Sequence, residues 1–262
     1  MFEPESFADN LETRYFKPRI RYFKKLDSTN ETAKKEALAG QHHGLLVIAD
    51  EQLAGRGRMN RIWISPPGGL YFSVFLESPL EGIPSPILGM LVACAVTESI
   101  RHVVGVDSSI KWPNDIIIDE NKVGGILCEA ISKGGKIEGV VVGVGINLNH
   151  PMSGLSTEFR YPAASLIEVT GNEISRKELL REILLAIDKR IGVVKENGSY
   201  DDTIEEWKWL NKILGYHVVV DTGADTIEGT AVDIRDDGAL VIETKSGIQK
   251  AVTIGDVTRV SL

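Results

Sequence analysis

The chain has 262 residues, 43% of them hydrophobic and 25% charged, with a formal net charge of -8 and a pI near 5.3. That is enough for one large domain, or a large domain plus a small one, and the composition is that of a globular protein. The acidic balance argues against a broad nucleic-acid footprint but leaves room for a local basic pocket.

The N-terminus, "MFEPESFADNLETRYF", has acidic residues where a signal peptide needs basic ones, and it lacks an apolar core. "LDSTNETAKKEALAG" (26–40) reads as a helix, with Asp27 or Ser28 as N-cap and Gly40 as the stop. "LLVIAD" (45–50) suits a buried strand. "EQLAGRGRMNRIWIS" (51–65) follows as a loop, with Arg56, Arg58 and Arg61 set among glycines. "LYFSVFLE" (70–77) reads as a strand with Leu70, Phe72, Val74 and Leu76 on one face.

"PILGMLVACAVTESIRHV" (86–103) is apolar nearly all round and predicts a core helix; its apolar stretch is too short to span a bilayer. "IKWPNDIIID", "VGGILCEAI" and "EGVVVGVGINLN" predict consecutive strands joined by tight turns. "SRKELLREILLAIDKRIG" (175–192) predicts an amphipathic helix with Leu180, Ile183, Leu184, Ile187 and Ile191 on one face. A short helix over "YDDTIEEWKWL" ends near 210. From about 213 the texture turns to short β segments with glycine turns, "DDG" being a hairpin signal. These elements divide the chain into an α+β body over 1–212 and a small β-barrel over 213–262. Cys94 and Cys128 sit in apolar runs without a CxxC pair, as in a reducing, cytoplasmic protein.

Four clusters carry candidate chemistry. In the arginine loop, glycines let backbone N–H groups approach a ligand, and guanidinium forks fit phosphate or carboxylate oxygens. Read alone, it is also what a solvated surface loop looks like. There is no GxxxxGK[ST] spacing, which excludes a Walker-type nucleotide site. In "KWPND" (111–115), Pro113 fixes the backbone beside Lys111 and interrupts a regular central strand. The alternative is an edge-strand lysine with a Trp-Pro packing corner. "GVGINLN" (143–149) offers close backbone approach and two asparagine amides, or a plain bulge. "DSTN" (27–30) offers hydroxyls and an amide, or a plain N-cap.

The order of these segments, "DSTN", "GRGRxxR" followed by tryptophan, "KWPND", "KVGGIL" and "GVGIN", resembles the biotin–protein ligase family. The likeness covers roughly 20–150, and the C-terminal β segment fits that family's SH3-like domain. It implies a mixed or antiparallel central sheet with helices, a class II synthetase-like catalytic domain. The implied activity is that of a biotin–[acetyl-CoA-carboxylase] ligase. Biotin and ATP give biotinyl-5'-AMP and pyrophosphate, and the biotinyl group then passes to one lysine of a carboxylase's biotin carrier domain.

By the same resemblance, Ser28, Thr29, Asn30, Gln52, Arg56, Gly57, Arg58, Lys111 and Gly125 would surround biotin. Arg56, Arg58, Arg61, Trp63, Asn114, Lys122 and Asn147 would serve ATP, with Lys111 and Arg56 as the catalytic cations. Offsetting the repulsion between a carboxylate and an α-phosphate needs fixed cations of this kind. Mg²⁺ would accompany the phosphates, with ligands the sequence does not name. No Ser-His or Cys-His pair is motif-linked, so the acyl group is expected to stay on AMP. Asp115 could orient the acceptor lysine or simply cap the turn.

Bifunctional members carry a DNA-binding segment before "DSTN". Only 26 residues precede Asp27 here, with little helical pattern, so no DNA partner and no membrane partner are expected. Met59-Asn60 departs from the basic or glycine-rich pairs common in this loop. The rival readings are a lipoate–protein ligase of the same superfamily and a non-catalytic biotin-sensing module. The oligomeric state stays open, a homodimer included. Two further expectations concern behaviour. Residues 55–61 should be mobile without ligand, because no apolar residue from 55 to 58 anchors them. Residues 213–262 should contribute little to the adenylation pocket.

Overall fold

The computed structural model describes residues 7–8, 11–15, 17–40, 44–77, 85–155 and 162–261. The chain order opens with strand β1 (Arg19–Leu26), helix α1 (Thr29–Leu38), strand β2 (Leu45–Gln52), a short 3₁₀ turn (Arg58–Asn60) and strand β3 (Leu70–Glu77). Helix α2 (Ser85–Val104) leads into β4 (Ser108–Lys111), β5 (Asp115–Ile118), β6 (Asn121–Lys133) and β7 (Lys136–Ile146). Helices α3 (Leu166–Thr170), α4 (Arg176–Asn197) and α5 (Asp201–Leu210) follow. The chain closes with β8 (His217–Asp221), β9 (Thr226–Ile234), β10 (Leu240–Glu243), β11 (Gln249–Val252) and β12 (Asp256–Ser261).

The first seven strands form one sheet in the order β1-β2-β3-β7-β6-β5-β4. Among its described strands β1 and β2 run parallel and the other neighbouring pairs are antiparallel. Strand β1 has no counterpart in the sequence reading. Its "RIRYFKKL" is studded with cations because it is an edge strand, half-exposed along its length.

The central strands are covered on both faces, so they read as continuous apolar runs. Strand β3 buries Tyr71, Ser73 and Phe75 as well as the expected Leu70, Phe72, Val74 and Leu76. One face, with Leu46, Ile48, Phe72, Val142 and Val144, joins α2, α4 and α5 in the main core. The other, with Leu45, Val47, Phe75 and Val141, packs under Ala33 of α1. Helix α2 satisfies length and composition for a membrane span over Pro86–Val104, and 67% of that window is buried inside the protein as the core helix.

The last five strands form a second, all-antiparallel sheet in the order β11-β10-β9-β8-β12. Its apolar residues Val218, Val220, Ala231, Leu240 and Ile242 run on into the main core. Polar links reinforce the junction. The Trp112 indole N–H donates to the Gly238 carbonyl at 3.1 Å, and Lys208 of α5 pairs with Asp233 of β9 at 2.8 Å.

Candidate active site

A hollow in the α1 face of the sheet follows from missing side chains. Gly125 of β6 lies opposite Gly145 of β7, and Leu127 opposite Gly143. A Cβ on Gly143 would come within 2.1 Å of Asn30 Oδ1, and one on Gly145 within 2.4 Å of Trp63 Nε1. The glycines therefore let α1 and the post-β2 loop close on the sheet with a space between them. The cavity, about 540 Å³, is lined from all four sequence clusters and from the second sheet. That is the size of a small-molecule site.

One end is a neutral hydrogen-bonding cradle. Ser28 caps α1, its hydroxyl accepting from the Glu31 amide at 3.4 Å. Gln52 Oε1 accepts from the Thr29 amide at 2.8 Å, while Gln52 Nε2 donates to Ser65 Oγ at 2.8 Å. Thr29, Asn30 and Ser73 are buried and mutually bonded.

The other end is cationic. The arginine loop closes on itself through Trp63 N–H to Gly55 O at 2.9 Å and Gly57 N–H to Arg61 O at 2.7 Å. Between these closures Met59 and Asn60 take left-handed φ of 55° and 58°. Arg56 reaches Glu31 of α1 at 2.9 Å. Arg58 donates to Asn114 Oδ1 at 3.4 Å and to the Gly255 carbonyl at 3.3 Å. Arg61 pairs with Asp256, and Arg58 lies 4.0 Å from the same carboxylate. Burial pulls the Arg58 pKa below the ordinary arginine value, and the neighbouring Asp256 and Asp115 oppose that pull. Lys122 pairs with Asp115 at 2.5 Å, and its ammonium sits 5.4 Å from the centre of the Trp63 ring.

Of the residues singled out in the sequence, Ser28, Thr29, Asn30, Gln52, Arg56, Gly57, Arg58, Arg61, Trp63, Asn114, Lys122, Gly125 and Asn147 all line this cavity, as does Asp115. Lys111 does not. It ends edge strand β4 opposite Asp115, one strand beyond β5 and two beyond β6. Burial pulls its pKa below the usual lysine value. Lys111, given a catalytic place in the sequence reading, thus lies outside the cavity lining, and the lysine that faces the cavity is Lys122 on β6.

Met152, Leu155, Ala163 and Asp256 also line it and were not foreseen. The first three come from sequence without hydrophobic period. Asp256 comes from the second sheet, and nothing local in "IGDV" marks it. It is the one lining residue from 213–262 among those described, where little contribution to the pocket was expected from that segment. The arginine loop, for its part, is anchored by charge rather than by apolar contacts. Among the described residues no group of three His, Cys, Asp or Glu side chains could hold a metal ion.

Residues 22–147 match the biotin/lipoate A/B protein ligase family, and 213–259 match the biotin protein ligase C terminal domain. A bifunctional ligase/repressor BirA from Bacillus subtilis is 35% identical over 92% of this chain and 74% of its own length. A biotin–[acetyl-CoA-carboxylase] ligase from Paracoccus denitrificans is 30% identical over 85% of this chain and 93% of its own. A biotin protein ligase from Aquifex aeolicus, solved in complex with biotin and ATP, superimposes with a TM-score of 0.80 at 31% identity. The alignment covers 94% of this chain and all of that one.

Proposed function

The chain belongs to the biotin/lipoate A/B protein ligase family and is a biotin–protein ligase, and from that premise we propose how its own residues carry the reaction. The observation that carries the proposal is the polarity of the cavity, neutral and hydrogen-bonding at Thr29, Asn30 and Gln52, cationic at Arg56, Arg58, Arg61 and Lys122. Biotin's ring would lie in the cradle and its carboxylate would point toward the cations. ATP would occupy the end walled by Trp63, Asn114, Asn147 and the Met152–Leu155 stretch.

Lys122 is the fixed cation at the join. Two anions, the biotin carboxylate and the ATP α-phosphate, approach each other only where a preorganised positive charge offsets their repulsion. Asp115 holds that ammonium in place, and the Trp63 ring lies alongside it. Asp115 is thereby occupied with Lys122 rather than with an incoming carrier lysine. Arg56 would exchange Glu31 for phosphate oxygens, and Arg58 and Arg61, held in place by Asp256, would turn their remaining N–H groups to them. Release of pyrophosphate leaves the mixed anhydride, whose acyl carbon a carrier lysine attacks in its neutral form, expelling AMP.

Among the described residues no carboxylate or imidazole cluster forms a resident metal cage. Mg²⁺ therefore enters as part of the substrate MgATP, held by phosphates and water as that ion commonly is.

We divide the chain into a catalytic domain over 1–212 and the SH3-like domain over 213–262, and place the protein in the cytoplasm, on the strength of its unpaired Cys94 and Cys128. The partner is a biotin carboxyl carrier domain. The net charge of -8 supports a reading without DNA, and a sequence-specific gel shift that survives added salt would overturn it. The test of function is incubation with MgATP, biotin and a carrier domain, followed by mass spectrometry of the carrier. One biotinyl group on one lysine is expected. Transfer of lipoate in preference to biotin would contradict the reading.

A further inference from the structure

The wall at the nucleotide end is a detour of the chain. It leaves β7 after Ile146, passes Met152 and Leu155 at the cavity, and is back at the cavity with Ala163. The returning limb is pinned to the site through its backbone. The Lys122 N–H donates to the Pro162 carbonyl at 2.9 Å, and the Ala164 N–H donates to the Lys122 carbonyl at 3.1 Å. The first amides of α3 then hang on the end of β7. Leu166 N–H donates to the Asn147 carbonyl and Ile167 N–H to the Leu148 carbonyl, both at 2.9 Å. Helix α3 is therefore fixed to the same strand end that supplies Asn147 to the cavity.

Glu168 ties the outgoing limb to that helix. It is the third residue of α3, and its Oε2 reaches back to accept from the amide of the N-cap residue Ser165 at 3.0 Å. Its Oε1 accepts from the Met152 amide at 2.9 Å. Both donors are backbone N–H groups, so neither bond can reverse. A carboxylate serves both because each of its oxygens accepts. A side-chain amide serves one of them, since its nitrogen sets N–H against N–H at the other.

The two donors differ in burial. Ser165 is fully buried, and its hydroxyl also donates to Oε2 at 3.0 Å, whereas Met152 is partly exposed. Orphaning a buried N–H costs more than releasing one that can turn to water. In Glu168→Gln the side-chain oxygen therefore stays with Ser165, the helix keeps its cap, and Met152 is let go.

We propose that Glu168 is a positioning residue for the nucleotide end, holding the Met152 limb in place so that the wall is formed before ATP arrives. The inference rests on the reading above that ATP occupies that end. Glu168 is not among the residues lining the cavity; it acts through the backbone of Met152. The cradle at Thr29, Asn30 and Gln52 is built by other elements and should be indifferent to it.

The test compares wild type, Glu168→Gln, Ser165→Ala and Met152→Ala in ATP–pyrophosphate exchange and in biotin binding by calorimetry. Glu168→Gln should raise the KM for ATP roughly three- to ten-fold, with kcat and the biotin Kd changed by less than about two-fold. Hydrogen exchange at the Met152 amide should be faster in this variant. Ser165→Ala removes a hydroxyl from the same carboxylate and keeps both backbone donors. It should lower the melting temperature and leave the KM for ATP and the Met152 exchange rate as in wild type, which separates the wall from the helix cap.

An unchanged KM for ATP in a folded Glu168→Gln overturns the inference. So does an equal loss of biotin affinity, or a rise in the ATP KM of Ser165→Ala that matches it. Should Glu168→Gln not fold, Glu168→Asp decides by the same criteria, because its carboxylate still suits the first turn of a helix and falls one methylene short of Met152. Met152→Ala tests the reading underneath. A raised ATP KM there beside an indifferent Glu168→Gln overturns the inference alone. An unchanged ATP KM in both variants overturns the placing of ATP at this end, and the inference with it.

Discussion

At the scale of single residues, strand order separates two lysines eleven positions apart, Lys122 over the cavity and Lys111 at the edge of the sheet. Lys122→Ala is expected to cost roughly 2.7–4 kcal/mol of transition-state stabilisation, about a hundred- to thousand-fold in ATP–pyrophosphate exchange. Lys111→Ala should cost less than about ten-fold, since its neighbourhood is the rim of the sheet and not the cavity. Exchange rates of the two purified variants check this, and the reverse ranking would restore the first assignment. The sequence carried the right residue types here. "KWPND" and "NKVGG" each offer a lysine beside a turn, and no local feature separates them. What separates them is that β5 lies between β4 and β6, so that only the β6 lysine comes out over the glycine floor.

At the scale of elements, β7 carries two glycines with different neighbours. A methyl group at Gly143 would strike Asn30, and one at Gly145 would strike the Trp63 indole. Overpacking of this kind typically costs about 1–3 kcal/mol. Gly143→Ala should therefore weaken biotin more than ATP, and Gly145→Ala should weaken ATP more than biotin. Separate KM values from the exchange assay test the split. Helix α3 gives a pH-dependent case. Glu168 accepts from the Ser165 amide at 3.0 Å and the Met152 amide at 2.9 Å, tying the cavity-lining stretch at Met152 to the start of the helix. Partial burial pulls the Glu168 pKa upward, but these hydrogen bonds outweigh it and hold the carboxyl below its ordinary value of 4.5. A depressed folded pKa means the contribution is complete above about pH 4.5 and is lost as the pH falls through the lower folded value. Thermal melts at stepped pH should show an acid-side loss in wild type that is smaller in Glu168→Gln. Much of this level was legible beforehand. The helices over 29–38, 85–104, 176–197 and 201–210 and the strands from 45 to 146 follow hydrophobic period and turn residues. Strand β1 was not legible, because an edge strand with alternating cations lacks the apolar run that marks a buried one.

At the scale of the whole molecule, the second sheet completes the first domain's pocket. Asp256 holds Arg58 and Arg61, and the Gly255 carbonyl takes a third contact from the same loop. Asp256→Ala should leave biotin binding unchanged and raise the KM for ATP roughly ten-fold, the scale of one charge-assisted hydrogen bond. An unchanged ATP KM would mean that the loop holds its shape without the C-terminal domain. By itself the sequence determined the residue types of both ends of the cavity, because hydroxyls, amides, glycines and guanidinium groups are local choices recorded in local motifs. It also determined the β texture after residue 213, through turn residues spaced by short apolar runs. Only the tertiary structure decided which lysine faces the cavity, that Asp256 closes its cationic end, and that Glu129 lies behind Asn30. Those three facts depend on which strands are neighbours and how two sheets meet. Pairings between residues 99, 195 or 197 positions apart leave no periodic trace in a single chain.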